Sequence, residues 1–181
     1  NAPREDLYRI ALSIAKEKPD SIIAVGGGST IDSAKAAAVL VSYPGNEIDQ
    51  YFGTGEVTKV SKELGKPILP VIAIQTAASS GAHLTKYSNI TDPVTGIKKL
   101  IVDEAIIPPK AIFDYRTTLS SPESLTLDGA LDAFSHCWEV FMGAVGKSYY
   151  EEIREITEVA VSLIVEYLPK VLKKKDDLSS R

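Results

Sequence analysis

Sulfur, imidazole and long apolar runs are all scarce in this sequence. Its 181 residues include one cysteine, Cys137, and two histidines, His83 and His136. A lone cysteine excludes an internal disulfide framework and fits a reducing cytoplasmic compartment. Cys137 stands among Phe134, Trp138 and Phe141, which predicts a buried, inert thiol. No apolar run approaches the roughly 18 residues that span a bilayer, so no membrane partner is expected. The formal net charge is -4, and basic blocks or basic stripes interleaved with aromatics are missing; nucleic acid is therefore not an expected partner either. The opening NAPREDLYR has no initiator methionine and no apolar core behind a basic start. It reads as lacking a signal peptide, and as a chain cut from something longer.

What is present is an alternation of helix and strand signals. Leu7, Ile10, Ala11 and Ile14 recur at helical spacing over residues 4–18. SIIAV (21–25) is a continuous apolar run, expected as a strand covered on both faces. After a glycine turn, TIDSAKAAAVLVS (30–42) is alanine-rich and predicts a helix that stops at Tyr43-Pro44-Gly45. Ser29 is the expected cap, with Asp32 in the first turn, and Lys35 is expected to be solvated. Residues 46–67 read as a loop with short turns. Further strands are expected at ILPVIAI (68–74), KKLIVD (98–103) and AIFD (111–114), an α/β layer.

Beyond Asp114 the pattern becomes helical. Ser121-Pro122-Glu123 predicts an N-cap with proline at the first helical position, and a helix to about Met142. Gly143–Gly146 should break it. A second helix over 149–168 carries Ile153, Ile156, Ala160, Leu163, Ile164 and Tyr167 on one face, and Pro169 should end or kink it.

Two constellations carry chemistry. Gly26-Gly27-Gly28-Ser29 lies where a strand hands over to a helix. Absent Cβ atoms let a ligand approach, and the first N–H groups of the helix suit a diphosphate. A purely structural turn explains the glycines nearly as well, since this is not the G-x-G-x-x-G pattern. Thr76–Gly81 (TAASSG) is a second small-residue turn after a strand; together the two would frame one crevice, with Thr76 and Ser80 supplying hydroxyls and Lys99 a cation. His83, just beyond, is either an ordinary loop histidine or part of a site.

The other constellation is LDAFSHCWE (131–139), where Asp132 and His136 project from one face of a helix in apolar company. A solvated stripe with Asp128 and Glu139 accounts for the spacing. The apolar flanks Phe134, Cys137, Trp138, Val140 and Phe141 leave little room for an exposed face, so a divalent iron or zinc ion accounts for the pair better, because coordination compensates both desolvated groups. Two ligands do not complete such a site.

GGGSTIDSAK (26–35), PVIAIQTAASSG (70–81), AIFDYRTTLSSPESLTLDG (111–129) and LDAFSHCWE occur in this order. The set resembles the iron-containing (group III) alcohol dehydrogenase family, over essentially the whole chain. That resemblance implies a dehydroquinate synthase-like fold. Residues 1–117 would be the C-terminal part of a Rossmann-like α/β nucleotide-binding domain, and 118–181 the first helices of an all-helical metal-binding domain. It implies hydride transfer between a small alcohol or aldehyde and NAD or NADP, one iron or zinc ion, and a homodimer in the full-length form.

By the same resemblance, Gly26, Gly27, Gly28, Ser29, Asp32, Thr76, Ser80, Thr85 and Lys99 would bind cofactor, and Asp132 and His136 would be the first two metal ligands. The family's turn of the kind T-A-G-T-G-S-E reads TAASSGAH here, with His83 at the acidic position, a candidate for proton handling. Glycerol dehydrogenases and dehydroquinate-synthase-like lyases share the fold. The basic phosphate-binding cluster expected of the lyase is not seen in the helical part. A nucleotide-binding chain without catalysis is the remaining alternative.

Overall fold

Helix α2 (Gly28–Ser42) is buried without interruption from Ile31 to Val39. Ala34, Ala36, Ala37 and Ala38 make that possible, because methyl-sized side chains let other elements approach the helix from every side. The computed structural model describes residues 2–45 and 47–181. It divides into two compact units: one runs to Gln75 and resumes over Gly81–Asp114, and the other joins Thr76–Ser80 to Tyr115–Arg181.

In the first unit, α1 (Arg4–Glu17) packs on α2, and Lys18 ends it in the left-handed region at φ 49°. Strands β1 (Ile22–Gly26), β3 (Val71–Gln75) and β6 (Lys110–Phe113) form a parallel sheet in the order β1-β3-β6. Gly26 pairs with Gln75, so the carboxyl ends of β1 and β3 are level. Ala24, Val71 and Ala73 bury their side chains in one core cluster with Ile31, Ala34 and Ala38 of α2. The expectation of a strand covered on both faces is corrected: Ile23 and Val25 are 63% and 57% exposed. Side chains alternate across the sheet, and this chain supplies a layer for one face only.

A second sheet, in the order β2-β5-β4, comprises β2 (Gly53–Thr54), β4 (Tyr87–Thr91) and β5 (Lys98–Val102). The strand expected at 98–103 thus joins this sheet, antiparallel to β4, and not the parallel layer. Residues 46–67 are more ordered than a loop. They contain a 3-10 turn (Ile48–Tyr51), β2 and helix α3 (Glu56–Leu64); Asn46 lies outside the described residues. Gly55 and Gly65, both left-handed, delimit α3, and Gly65 N–H closes its end on Lys62. Asp103 caps its other end, accepting from Thr58 N–H at 2.8 Å and from the Thr58 hydroxyl.

The second unit is built on α4 (Glu123–Ala144) and α5 (Tyr150–Lys173). Pro122, not Ser121, is the N-cap of α4, and no side chain caps it. Gly143 stays helical; the break comes at Val145 and the left-handed Gly146. Helix α5 runs through Pro169 to Lys173. Proline on an exposed helix face forfeits one backbone bond, and here the neighbouring turns hold. The charged tail is not without structure, since Leu178–Ser180 makes a 3-10 turn and the Arg181 guanidinium donates to the Thr126 hydroxyl at 3.4 Å.

Candidate nucleotide and metal sites

The glycine turn is tighter than its sequence suggests. Helix α2 starts at Gly28, with Gly27 as an extended N-cap that offers no side-chain acceptor. The expected Ser29 cap is therefore corrected: Ser29 is already helical and exposed, and Thr30 and Ile31 N–H both turn back to the Gly27 carbonyl. The N–H groups of the first turn have no side-chain acceptor from the cap and sit at the positive end of the helix dipole. A Cβ on Gly26 would stand 2.6 Å from Thr30 Cβ and closer still to its hydroxyl, so only glycine fits there.

Asp32 is the fifth residue of α2, not a first-turn acid, and is 7% exposed. Its carboxylate accepts from Asn89 N–H at 3.1 Å, and its carbonyl accepts from the Ser88 hydroxyl at 2.8 Å. Burial pushes its carboxyl above the usual range, against the opposing pull of Asn89 N–H and the Lys35 charge. Lys35 contradicts the solvated role expected of it. It is fully buried, donating to the carbonyls of Thr85 (2.7 Å) and Tyr87 (3.0 Å). Desolvation lowers its pKa to about 8 although Asp32 stabilises the charge.

His83 is neither solvated nor hydrogen-bonded, correcting both ordinary expectations for a loop histidine. It is 7% exposed, and among the described residues neither ring nitrogen has a partner. Its ring meets Phe113 edge-on, with centroids 4.9 Å apart. Burial and the Lys35 charge hold its pKa below the ordinary histidine value. Thr85, two residues on, gives its carbonyl to Lys35.

Lys99 is not a free cation: its ammonium is 2.6 Å from Asp49 Oδ1 and lies over the Phe52 ring. The structure thus gathers Asp32, Lys35, His83 and Thr85 around the start of β4, and commits Lys99 to another partner. Lys35 is the member of this cluster to which the sequence assigns no site role. Its position three residues after Asp32 on an alanine-rich helix was the available signal.

Thr76 and Ser80 bound the segment that groups with the helical unit. Within that unit, Gly129 of α4 admits the segment: a Cβ there would meet the Ala78 carbonyl and stand 2.9 Å from Ser79 Cβ. Farther along α4, Asp132 and His136 lie one turn apart with Oδ2 and Nδ1 separated by 3.6 Å, and their side chains are 53% and 66% exposed. The premise of a buried pair is corrected. Leu131, Phe134 and Trp138 are themselves exposed, and Cys137 is half-buried. A carboxylate oxygen and an imidazole nitrogen so placed suit iron or zinc as donors. No group of three or more histidine, cysteine, aspartate or glutamate side chains that could hold a metal occurs among the described residues, so the pair is an incomplete ligand set. No helix among them is long and apolar enough to cross a membrane.

Known proteins resemble this chain over nearly its whole length. The chain is 36% identical over 166 residues to an NAD-dependent methanol dehydrogenase of Bacillus methanolicus, covering 92% of this chain and 41% of that protein. It is 33% identical over 164 residues to alcohol dehydrogenase 4 of Schizosaccharomyces pombe, covering 91% and 35%. Among solved structures, an alcohol dehydrogenase from Oenococcus oeni superposes with a TM-score of 0.82 at 28% identity, over 96% of this chain and 43% of that one. NADH-dependent butanol dehydrogenase A of Thermotoga maritima gives the same TM-score, 0.82, and the same identity, 28%, over 96% and 41%. The chain spans about two-fifths of the length of most of these relatives. The family model for iron-containing alcohol dehydrogenases matches residues 1–115, and the chain belongs to that family.

Proposed function

We propose that the protein carrying this chain is a metal-dependent oxidoreductase. It moves hydride between a primary or secondary alcohol, or the matching aldehyde or ketone, and NAD or NADP. The observation that carries this reading is the uncapped start of α2 at the carboxyl end of β1, where a Cβ on Gly26 has no room. In a chain of this family, such a turn is fitted to the cofactor diphosphate.

In this account residues 1–117 belong to the nucleotide-binding domain and 118–181 begin the metal-binding one. Gly27, Gly28 and Ser29 receive phosphate oxygens on backbone N–H groups. Asp32 is already committed to Asn89 and shapes the site without reaching phosphate, which its charge would repel. Thr85 keeps its hydroxyl for ligand while its carbonyl is held by Lys35. Asp132 and His136 would hold the ion as two of its ligands. A bound ion would supply polarisation of an alcohol oxygen, and a bound nicotinamide would supply hydride-transfer chemistry. His83, an imidazole favoured in its neutral form and with both ring nitrogens unpartnered among the described residues, would accept a proton from a hydroxyl.

The test is the rate at which NAD or NADP is reduced by a panel of short alcohols with iron(II) or zinc(II), in wild type and in His136→Ala. Loss of metal-dependent turnover in the variant supports the reading. Equal turnover in both removes the metal role of α4.

A further inference from the structure

A fully buried lysine is a costly choice beside Ala34, Ala36, Ala37, Ala38 and Val39 of the same helix, because an apolar side chain fills the same space without desolvating a charge. Its contacts explain why it is there. Lys35 donates to the carbonyls of Thr85 and Tyr87, while Asp32, one turn earlier, takes Asn89 N–H on its carboxylate and the Ser88 hydroxyl on its carbonyl. Helix α2 therefore grips the chain at Thr85, Tyr87, Ser88 and Asn89. Immediately before that grip lies the turn Gly81–Leu84, closed by Leu84 N–H on the Gly81 carbonyl at 2.9 Å. His83 stands in this turn, with both ring nitrogens buried and unpartnered among the described residues.

We infer that Lys35 is a positioning residue: by tying the carbonyls of Thr85 and Tyr87 to α2, it fixes the turn that carries His83, so that both imidazole nitrogens are left for a bound ligand. Buried polar groups without partners are rare, and where they persist a ligand or water commonly completes them. A neutral imidazole has one donor and one acceptor. A hydroxyl, which can answer either, is the ligand chemistry that fits; a cation is opposed by the ammonium of Lys35. The charge of Lys35 and burial both favour the neutral ring. Only the identity of the ligand rests on the function proposed above; the positioning role does not.

The experiment is ring-nitrogen NMR of the histidine-labelled full chain, with His83 assigned through His83→Gln, recorded against pH and against NAD, 1-propanol and the two together. In wild type the His83 ring should titrate below free histidine in the same buffer, and NAD with 1-propanol should move at least one of its nitrogen signals. Lys35→Met, matched in length but uncharged, should raise the midpoint and abolish the ligand-induced shift, with the fold checked by circular dichroism. Lys35→Arg, which keeps the cation and can donate to both carbonyls, should return the midpoint toward wild type.

A folded Lys35→Met whose midpoint and ligand response match wild type overturns the inference, as does a wild-type His83 that titrates like free histidine. Should Lys35→Met fail to fold, Lys35→Arg decides: a midpoint kept below free histidine supports the role, and one equal to it refutes the role. A Lys35-dependent midpoint with no response to NAD or 1-propanol upholds the positioning role and sinks the alcohol–nicotinamide reading separately.

Discussion

The Lys35 ammonium stands 2.7 Å from the carbonyl oxygen of Thr85, fifty residues away along the chain, with no solvent exposure of the lysine. This one bond joins the helix that follows the glycine turn to the segment that follows His83. It also makes stability depend on pH. The folded chain releases the lysine proton near pH 8, whereas the unfolded chain keeps it to about 10.5. Between those values the unfolded state holds the extra proton, so wild type should gain stability with rising pH. Below about pH 8 the penalty for the buried charge is fully present, on the order of 3 kcal/mol. Urea unfolding of wild type and Lys35→Met at neutral pH and near pH 10 should show the difference moving in favour of wild type. A pH-independent difference would contradict the burial of the charge.

Gly26→Ala should destabilise the first unit by about 1–3 kcal/mol, the usual range for an added methyl in a packed position. Thr30 Cβ lies 2.6 Å from the new atom and belongs to a rigid helical turn. Denaturant midpoints measure the loss, and a nicotinamide dinucleotide titration should show weaker binding by the variant at a temperature where it remains folded. Unaltered stability and affinity would mean that the turn opens freely.

Asp103→Ala should cost about 1–3 kcal/mol, the range for stranding buried hydrogen-bond donors. The carboxylate is 3% exposed and accepts from Thr58 N–H at 2.8 Å and Ala105 N–H at 3.0 Å, besides the Thr58 hydroxyl. Hydrogen exchange should quicken at Thr58 and Ala105 before it does in α2. Uniform exchange across the chain would show that α3 is not anchored this way.

How far the sequence could be read follows from where each signal lives. Helices α1 and α2 and strands β1 and β3 announce themselves through apolar runs and the glycine turn. Helix α3 does not, because Val57 and Val60 are its only aliphatics before the terminal Leu64, and its limits are set by left-handed glycines and by Asp103 from far along the chain. Strand β4 buries Ser88 and Ile90 on one face, and a buried serine breaks the apolar alternation by which a strand is recognised. Lys35 looked solvated because its carbonyl acceptors are tertiary neighbours that no local spacing reveals. The Asp132–His136 pair was correctly placed on one helix face. Its apolar neighbours suggest burial, but they are themselves largely exposed in this chain.

Asp49 links Arg4 and Lys99, its carboxylate bonded to both, and the first of these also reaches Glu47 at 3.0 Å. The Lys99 hydrogen bond leads in holding the Asp49 carboxyl below its ordinary value. Asp49→Asn should cost less than about 1 kcal/mol, since the pair is solvent-screened. The stabilisation is present above the unfolded carboxylate range and is lost as pH falls through the folded value. Raising salt should shrink it too. A difference that grows toward acid pH would contradict this assignment.

Whether the glycine turn receives a nicotinamide dinucleotide is tested most directly by amide-resolved NMR during an NADH titration of the full chain. The predicted result is saturable movement of the Gly27, Gly28 and Ser29 amides, with His83 and Thr85 following, all lost in Gly26→Val. Saturating NADH that leaves those three amides where they were would contradict it.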